Sequence, residues 1–481
     1  MDRRKLILAS AILASGAGVA WSREAPAPQT EAEQAGLRAW LERWLAAFND
    51  ADAHVYRDFV EAHAPTVAPY LDDDLGVQET TGGFDLLDHE ITAGGEIRAR
   101  VKDRNWDRFS TVTLTAGGAG ILDDIAFSGA QPPAGFAVGR LGEADALSAL
   151  AGKLRTETAA GRFSGSVRVA RDGAALFERA GGMADLAGGE EATPSTRYCI
   201  GSMGKMFTAV AVMQLVERGR IRLTDTLGTH LPSYRNRDLA SRVTIEHLLT
   251  HTGGTGDIFG PDYDARKDSL RTPMDLVRFY GDRGPAFEPG SRWGYSNHGF
   301  ILLGAVVEQV TATPWDIWFA EHVFRPAGMS ATSQTFAAPQ ATARPYTGSS
   351  QTGLKPLTPY EGLPAGGGYS TAGDLLAFVE ALQNGVLVSA DTLTAMTAPR
   401  VQAGSRHWGL GLAIGRRNGA VFYGHAGSAP GVSGDLAVYP ASGYRTVVLC
   451  NRGHPAAANV AEFIGTRLPD QAPTGQGGRP V

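Results

Sequence analysis

The sequence predicts an α+β protein built from two units. Three observations carry this reading. Residues 31–131 read as helices followed by strands. Residues 143–470 read as strands at both ends with helices between, which implies a sheet made from distant parts of the chain. Gln131-Pro132-Pro133 separates the two. The length agrees: 481 residues, at roughly 150 per domain, allow two or three units. Composition removes several classes. Apolar residues at 43% and charged residues at 20% exclude general disorder. The 61 glycines and 26 prolines show no G-X-Y period, so collagen is excluded. The net charge is −6, and no Lys/Arg block lies beyond the first residues, which argues against a nucleic-acid partner. Two cysteines, Cys199 and Cys450, cannot build a disulfide framework or a four-thiolate zinc site. A single bridge between them stays open beside the reading of two buried small hydrophobes.

The elements follow in order. Arg3, Arg4 and Lys5 form a positive start, Leu6–Ala20 is apolar and small, and Gly18-Val19-Ala20 resembles a cleavage site. Residues 1–22 therefore read as a signal peptide. The alternative is a membrane anchor, but about 15 residues fall short of the ~20 needed to span. Arg3-Arg4-Lys5-Leu6-Ile7 also resembles a twin-arginine signal, too briefly to choose an export route. Cleavage after Ala20 removes Asp2 and the three basic residues, leaving −8. The expectation is a periplasmic or secreted protein with no stable membrane span. Residues 23–30 read as a linker. Leu37, Trp40, Leu41, Trp44, Leu45 and Phe48 form one apolar helical stripe, and a short helix follows near Val55–His63. Phe84–Ile91, Glu96–Lys102, Phe109–Thr115 and Gly120–Phe127 read as strands.

In the larger unit, Ala144–Ala159 reads as a helix. Arg171-Asp172-Gly173 turns a hairpin between Ser166–Ala170 and Ala174–Arg179. Residues 203–390 read as helices and long loops. Strands return at Leu410–Ile414, Ala420–Gly424, Leu436–Tyr439 and Thr446–Cys450, and Ala456–Leu468 reads as a closing helix. Residues 471–481 form a polar Gly/Pro tail.

Three short motifs carry chemistry. Ser202-Met203-Gly204-Lys205 is the only Ser-x-x-Lys in the chain, at the start of an apolar helix. Positions i and i+3 share a helix face, so Lys205 can sit beside the Ser202 hydroxyl and take its proton if burial lowers the lysine's pKa. The same spacing fits an N-cap serine and an unrelated surface lysine. Tyr295-Ser296-Asn297 precedes an apolar helix over Gly299–Val310. A tyrosinate at Tyr295 can act as base, and Asn297 can hold the lysine or a substrate carbonyl. Tyr234-Arg235-Asn236 has the same spacing but sits in a charged loop and reads as a turn. His425-Ala426-Gly427 follows a strand. The small residues let a substrate backbone approach, and the Ser428 N–H can serve as an oxyanion donor. His251-Thr252-Gly253 reads instead as the close of the helix Thr244–Leu249, with Gly253 as its C-cap. Gly366-Gly367-Gly368 lacks a following Gly-Lys-Ser/Thr and reads as structure, and Thr371 to Asp374 reads as a capping box. Asp72-Asp73-Asp74 and Asp123-Asp124 read as solvated acidic faces.

In order and context these motifs resemble the serine β-lactamase and penicillin-binding-protein superfamily. Tyr198-Cys199-Ile200-Gly201-Ser202 with Lys205 is similar to its nucleophile segment. Leu248-Leu249-Thr250-His251-Thr252-Gly253-Gly254 resembles a segment of its class C-like branch. Tyr295-Ser296-Asn297 and His425-Ala426-Gly427 match its second and third motifs. The resemblance covers about 143–470. It implies an antiparallel sheet flanked by helices, a helical subdomain, and an acyl-enzyme on Ser202 with no metal or organic cofactor. In it Lys205 and Tyr295 share the proton traffic, and the N–H groups of Ser202 and Ser428 hold the oxyanion. The substrate is then a small ester, amide or peptide. Class C β-lactamases usually carry lysine where this chain has His425, a weaker cation near neutral pH. That departure favours small esters or D-amino-acid amides over β-lactams. A class C-type β-lactamase or D,D-carboxypeptidase is the alternative, and a non-catalytic ligand-binding protein on the same fold is the alternative from another class. Residues 31–131 resemble a cystatin-like cone and read as an accessory module.

Overall fold

The computed structural model describes residues 30–336, 341–349 and 353–471. The residues 1–22 read as a signal peptide, nearly all of the stretch read as a linker, and the residues beyond 471 lie outside them. The chain divides into two compact units, Met1–Gly139 with Thr347–Lys355, and Arg140–Tyr346 with Pro356–Val481. The sequence reading placed 347–355 with the larger unit. This Gly- and Ser-containing stretch has no apolar period to report its allegiance.

Among the described residues the first unit has three α-helices and a four-stranded antiparallel meander. Helix α1 (Glu31–Phe48) starts at a capping box. Thr30 accepts from the Glu33 N–H, and Glu33 accepts from the Thr30 N–H. Its stripe buries Leu37, Leu41, Trp44 and Phe48 against the sheet, and α2 (Ala53–His63) adds Tyr56, Phe59 and Val60. The acidic run 72–74 is not a solvated face throughout. It opens a helix the sequence reading missed, α3 (Leu71–Thr81), where three carboxylates suit the positive end of the helix dipole. Asp74 is buried and accepts from the Tyr56 hydroxyl at 2.9 Å. Strands β1 (Phe84–Ile91), β2 (Glu96–Asp103), β3 (Phe109–Ala116) and β4 (Leu122–Gly129) lie in chain order. β4 begins two residues later than its pattern suggests, after a short helical turn at Gly118–Gly120.

The second unit is built on an eight-stranded antiparallel sheet. Helix α4 (Glu143–Ala159) precedes the hairpin β5 (Gly165–Arg171) and β6 (Ala174–Gly181). Much later come β7 (Val401–Ala403), β8 (Arg406–Trp408), β9 (Ala413–Arg417), β10 (Ala420–Ala429), β11 (Val432–Val438) and β12 (Tyr444–Cys450). The order is β7-β8-β9-β10-β11-β12-β5-β6, so the end of the chain closes onto its start through β12 and β5. β11 is buried at all seven positions, which requires cover on both faces. The closing helix (Ala456–Arg467) packs on β11, β12 and α4, while the helix Ala372–Gln383 packs on β5 and β12. The strand expected at 410–414 lies at 413–417, because Gly409 and Gly411 hold a loop before it. β7 and β8 are too short to show alternation and were not foreseen.

Two buried helices run beneath the site. In Lys205–Glu217 (α5) every residue from Lys205 to Leu215 is buried, and in Asn297–Thr311 (α6) every residue from Asn297 to Val307 is. Both are apolar all round, as an interior helix must be. Each begins with a polar side chain, Lys205 and Asn297, and the two meet at one place.

Candidate active site

Ser202 lies on a 3₁₀ turn, Gly201–Gly204, that leads into α5. In a 3₁₀ turn positions i and i+3 eclipse. The Lys205 ammonium accordingly donates to the Ser202 hydroxyl oxygen at 3.1 Å. The surface-lysine alternative is removed, since Lys205 is fully buried. Its Nζ also donates to the Asn297 Oδ1 at 2.7 Å and to the Ala365 carbonyl. Burial pushes the ammonium down to about 7, partly opposed by the negative charge of Asp257. Asn297 is the first residue of α6, which Ser296 caps through the Gly299 N–H at 2.9 Å. Its amide N–H donates to both Asp257 oxygens, at 3.0 and 3.1 Å, so its carbonyl end is committed to Lys205. The Tyr295 hydroxyl hydrogen-bonds Ser202, and the Lys205 Nζ lies 4.9 Å from its ring centroid. Burial raises this phenol well above its ordinary value, more than the Ser202 bond lowers it. Tyr295 therefore rests protonated, and the tyrosinate that the motif suggested is not its resting form.

The third motif approaches from behind. β10 carries His425, Gly427 and Ser428 past the nucleophile turn. A β-carbon on Gly427 would lie 2.0 Å from the Ile200 carbonyl oxygen, so no other residue fits there. Gly201 has φ 51°, and a β-carbon there would lie 3.0 Å from the Ser428 nitrogen. The Ser428 backbone thus packs directly on the nucleophile turn. On the opposite side the Gly367 N–H donates to the Gly201 carbonyl at 3.1 Å. The triple glycine is thus a brace of the nucleophile turn.

His425 differs from its expected role as a weak cation. It is buried. Desolvation, then the nearby charges of Lys205 and Arg406, push it down to about 3. Its Nδ1 lies 2.6 Å from the Ala426 carbonyl, so the neutral ring donates from Nδ1 and leaves Nε2 as an acceptor. Its ring stands edge-on to Trp408 at 5.3 Å, within an aromatic cluster that includes Trp293, Tyr295 and His251.

The residues set aside fall into place. Asn236 caps the helix Arg237–Arg242 through the Leu239 N–H, so Tyr234-Arg235-Asn236 is structural. Thr371 caps its helix, but Asp374 does not return the bond. Its carboxylate accepts instead from the Ala331 N–H and the Thr332 hydroxyl. Cys199 and Cys450 are buried and unpaired. Among the described residues no three His, Cys, Asp or Glu side chains converge as metal ligands. Two site features lacked a sequence signal. Asp257 stands alone in a loop, and the Ala365 carbonyl is backbone.

The family model described as Beta-lactamase matches residues 149–468. The chain belongs to the Beta-lactamase family. It is an α+β serine hydrolase of that fold, and its first unit lies outside the match. Among curated relatives, the "Putative penicillin-binding protein PbpX" of Bacillus subtilis (strain 168) is 29% identical over 297 residues, 60% of this chain and 70% of its own. "Esterase EstB" of Burkholderia gladioli is 33% identical over 297 residues, 52% of this chain and 74% of its own. Among solved structures, the "D-stereospecific amidohydrolase from Streptomyces sp." superposes with a TM-score of 0.56 at 27% identity, covering 67% of this chain and 97% of that one. This member keeps a serine, lysine, tyrosine and asparagine together and places a neutral histidine at the third motif.

Proposed function

We propose that the chain hydrolyses small esters or D-amino-acid amides through an acyl-enzyme on Ser202. The observation that carries this is Lys205: fully buried, 3.1 Å from the Ser202 oxygen, and lowered to about 7. A lysine near neutrality is a competent base at working pH. As Ser202 Oγ attacks the carbonyl carbon, its proton passes to the neutral Lys205 amine. The carbonyl π electrons move to oxygen, where the Ser202 and Ser428 N–H groups hold the anion. Collapse breaks the ester or amide bond. The leaving alkoxide or amine receives its proton from Tyr295, which regains one from Lys205. Water then attacks the acyl carbon and restores Ser202.

The substrate preference rests on His425. A neutral imidazole that offers an acceptor cannot pair with a carboxylate as a lysine does, so a negatively charged β-lactam gains little there. The names of the Burkholderia esterase and the Streptomyces amidohydrolase support the same substrate classes. A panel of p-nitrophenyl esters, D-alanyl amides and nitrocefin tests the ranking. Esters or amides should show the higher kcat/KM, and nitrocefin exceeding them would reverse the assignment. Export remains part of the proposal, on the charged and apolar pattern of residues 3–20. Among the described residues no helix is long and apolar enough to cross a membrane. N-terminal sequencing of the protein recovered from the periplasm or medium should begin after Ala20, and recovery only as the full chain in the cytoplasm would refute export.

A further inference from the structure

His251 looked like the residue that merely ends a helix. The helix Ile245–Leu249 does end there, in a Schellman pair. The His251 N–H reaches the Leu248 carbonyl at 3.3 Å, and the Thr252 N–H reaches the His247 carbonyl at 2.8 Å. But the left-handed residue of this motif is His251 itself, at φ 58°, and not Gly253. A β-carbon in that conformation is disfavoured, and glycine is the usual occupant. The imidazole must therefore supply something glycine cannot.

What it supplies surrounds Tyr295. The His251 carbonyl accepts the Gly294 N–H at 2.9 Å, and its ring Nδ1 accepts the Ser296 N–H at 3.1 Å. One residue thus holds the peptide groups on both sides of the tyrosine. Its ring lies 4.3 Å from the Tyr295 ring, tilted by 30°, and is itself wedged against Phe300 at 5.0 Å and Trp408 at 4.8 Å. His251 is buried, so water does not compete for Nδ1. Only a neutral imidazole can accept at Nδ1, and burial holds its pKa well below the ordinary value.

We propose that His251 is a positioning residue for Tyr295. Its carbonyl and Nδ1 fix the backbone on either side of the tyrosine, so that the hydroxyl stays on Ser202. This rests on the proton path proposed above. Small misplacements of a group in such a path can cost about 10²-fold in rate.

The test compares His251→Asn, His251→Gly and His251→Phe on p-nitrophenyl acetate, with thermal unfolding measured beside kcat and KM. Asparagine tolerates the left-handed conformation and carries an acceptor on Cγ, where His251 has Nδ1. Glycine relieves the backbone but loses both acceptor and ring. Phenylalanine keeps only the ring. The expected result is a kcat within about threefold of the parent for Asn, and a loss of about 10- to 100-fold for Gly and Phe with KM little changed. Placed in a Tyr295→Phe background, His251→Gly should cost little more, because the group it positions is gone. A full kcat in His251→Gly, or an equal loss in the two backgrounds, would overturn the proposal. Should the Phe variant fail to fold, the Asn and Gly pair still decides. If Tyr295→Phe alone keeps full kcat, the proton path falls and the positioning role with it. A loss in Tyr295→Phe with none in the His251 variants removes the positioning role alone.

Discussion

At the scale of single residues the account turns on Lys205. It must be neutral to accept a proton, and its pKa near 7 places the change inside the working range. The kcat/KM for ester acylation should therefore fall on the acid side, with an inflection near pH 7. Asp257 favours the charged lysine. Asp257→Asn should thus move the acid limb to lower pH, while its side chain can still accept from Asn297. A limb that stays in place, or moves up, would contradict this. His425 predicts a different result. Since it is already neutral, His425→Gln should leave the profile between pH 5 and 8 unchanged in shape. Ser202, Lys205, Tyr295 and Asn297 were legible in the sequence because their motifs fix spacing along one turn. The neutrality of His425 was not, since burial comes from strands and loops far away in sequence. His251 was misread for a related reason: its spacing showed a helix end, and its contacts with 294–296 are tertiary.

At the scale of elements, β10 and the nucleophile turn must lie against each other. Gly427→Ala would set a methyl group 2.0 Å from the Ile200 carbonyl oxygen and force them apart. The expected outcome is a folded protein with Ser202 acylation slowed by about 10²-fold or more, roughly the loss of one oxyanion donor. Stopped-flow with an activated ester reads it. Further along the sheet, Arg417 of β9 meets Asp435 of β11 through two bonds, at 2.7 and 3.2 Å, and also meets Glu462 of the closing helix and the Tyr439 hydroxyl. Both members of the pair are buried. Asp435→Ala strips the buried cation of its two-bond partner, leaves it only the half-exposed Glu462 carboxylate, and should cost about 3 kcal/mol in denaturant unfolding. The long strands and helices were legible from their periods. The three-residue strands β7 and β8 and the helix α3 were not, because two or three alternations carry no pattern and an Asp run reads as surface.

At the scale of the whole molecule, all residues assigned to bond-making lie between Ser202 and Ser428, within the family match and within one compact unit. The first unit brings no nucleophile–base spacing of its own. A chain of 136–481 should fold and keep kcat/KM on p-nitrophenyl acetate within about threefold, a change too small to mean a lost transition-state contact. Loss on every substrate would make the first unit part of the active site. The Pro pair and the change of period point to a boundary near 131–143, whereas nothing in the sequence of 347–355 points to the first unit. The central claim is a covalent bond to one oxygen. Intact-mass spectrometry of the full chain after incubation with a fluorophosphonate reads it directly. The account predicts a single adduct, mapped to Ser202 and absent in Ser202→Ala. Labelling that persists unchanged in Ser202→Ala would contradict it.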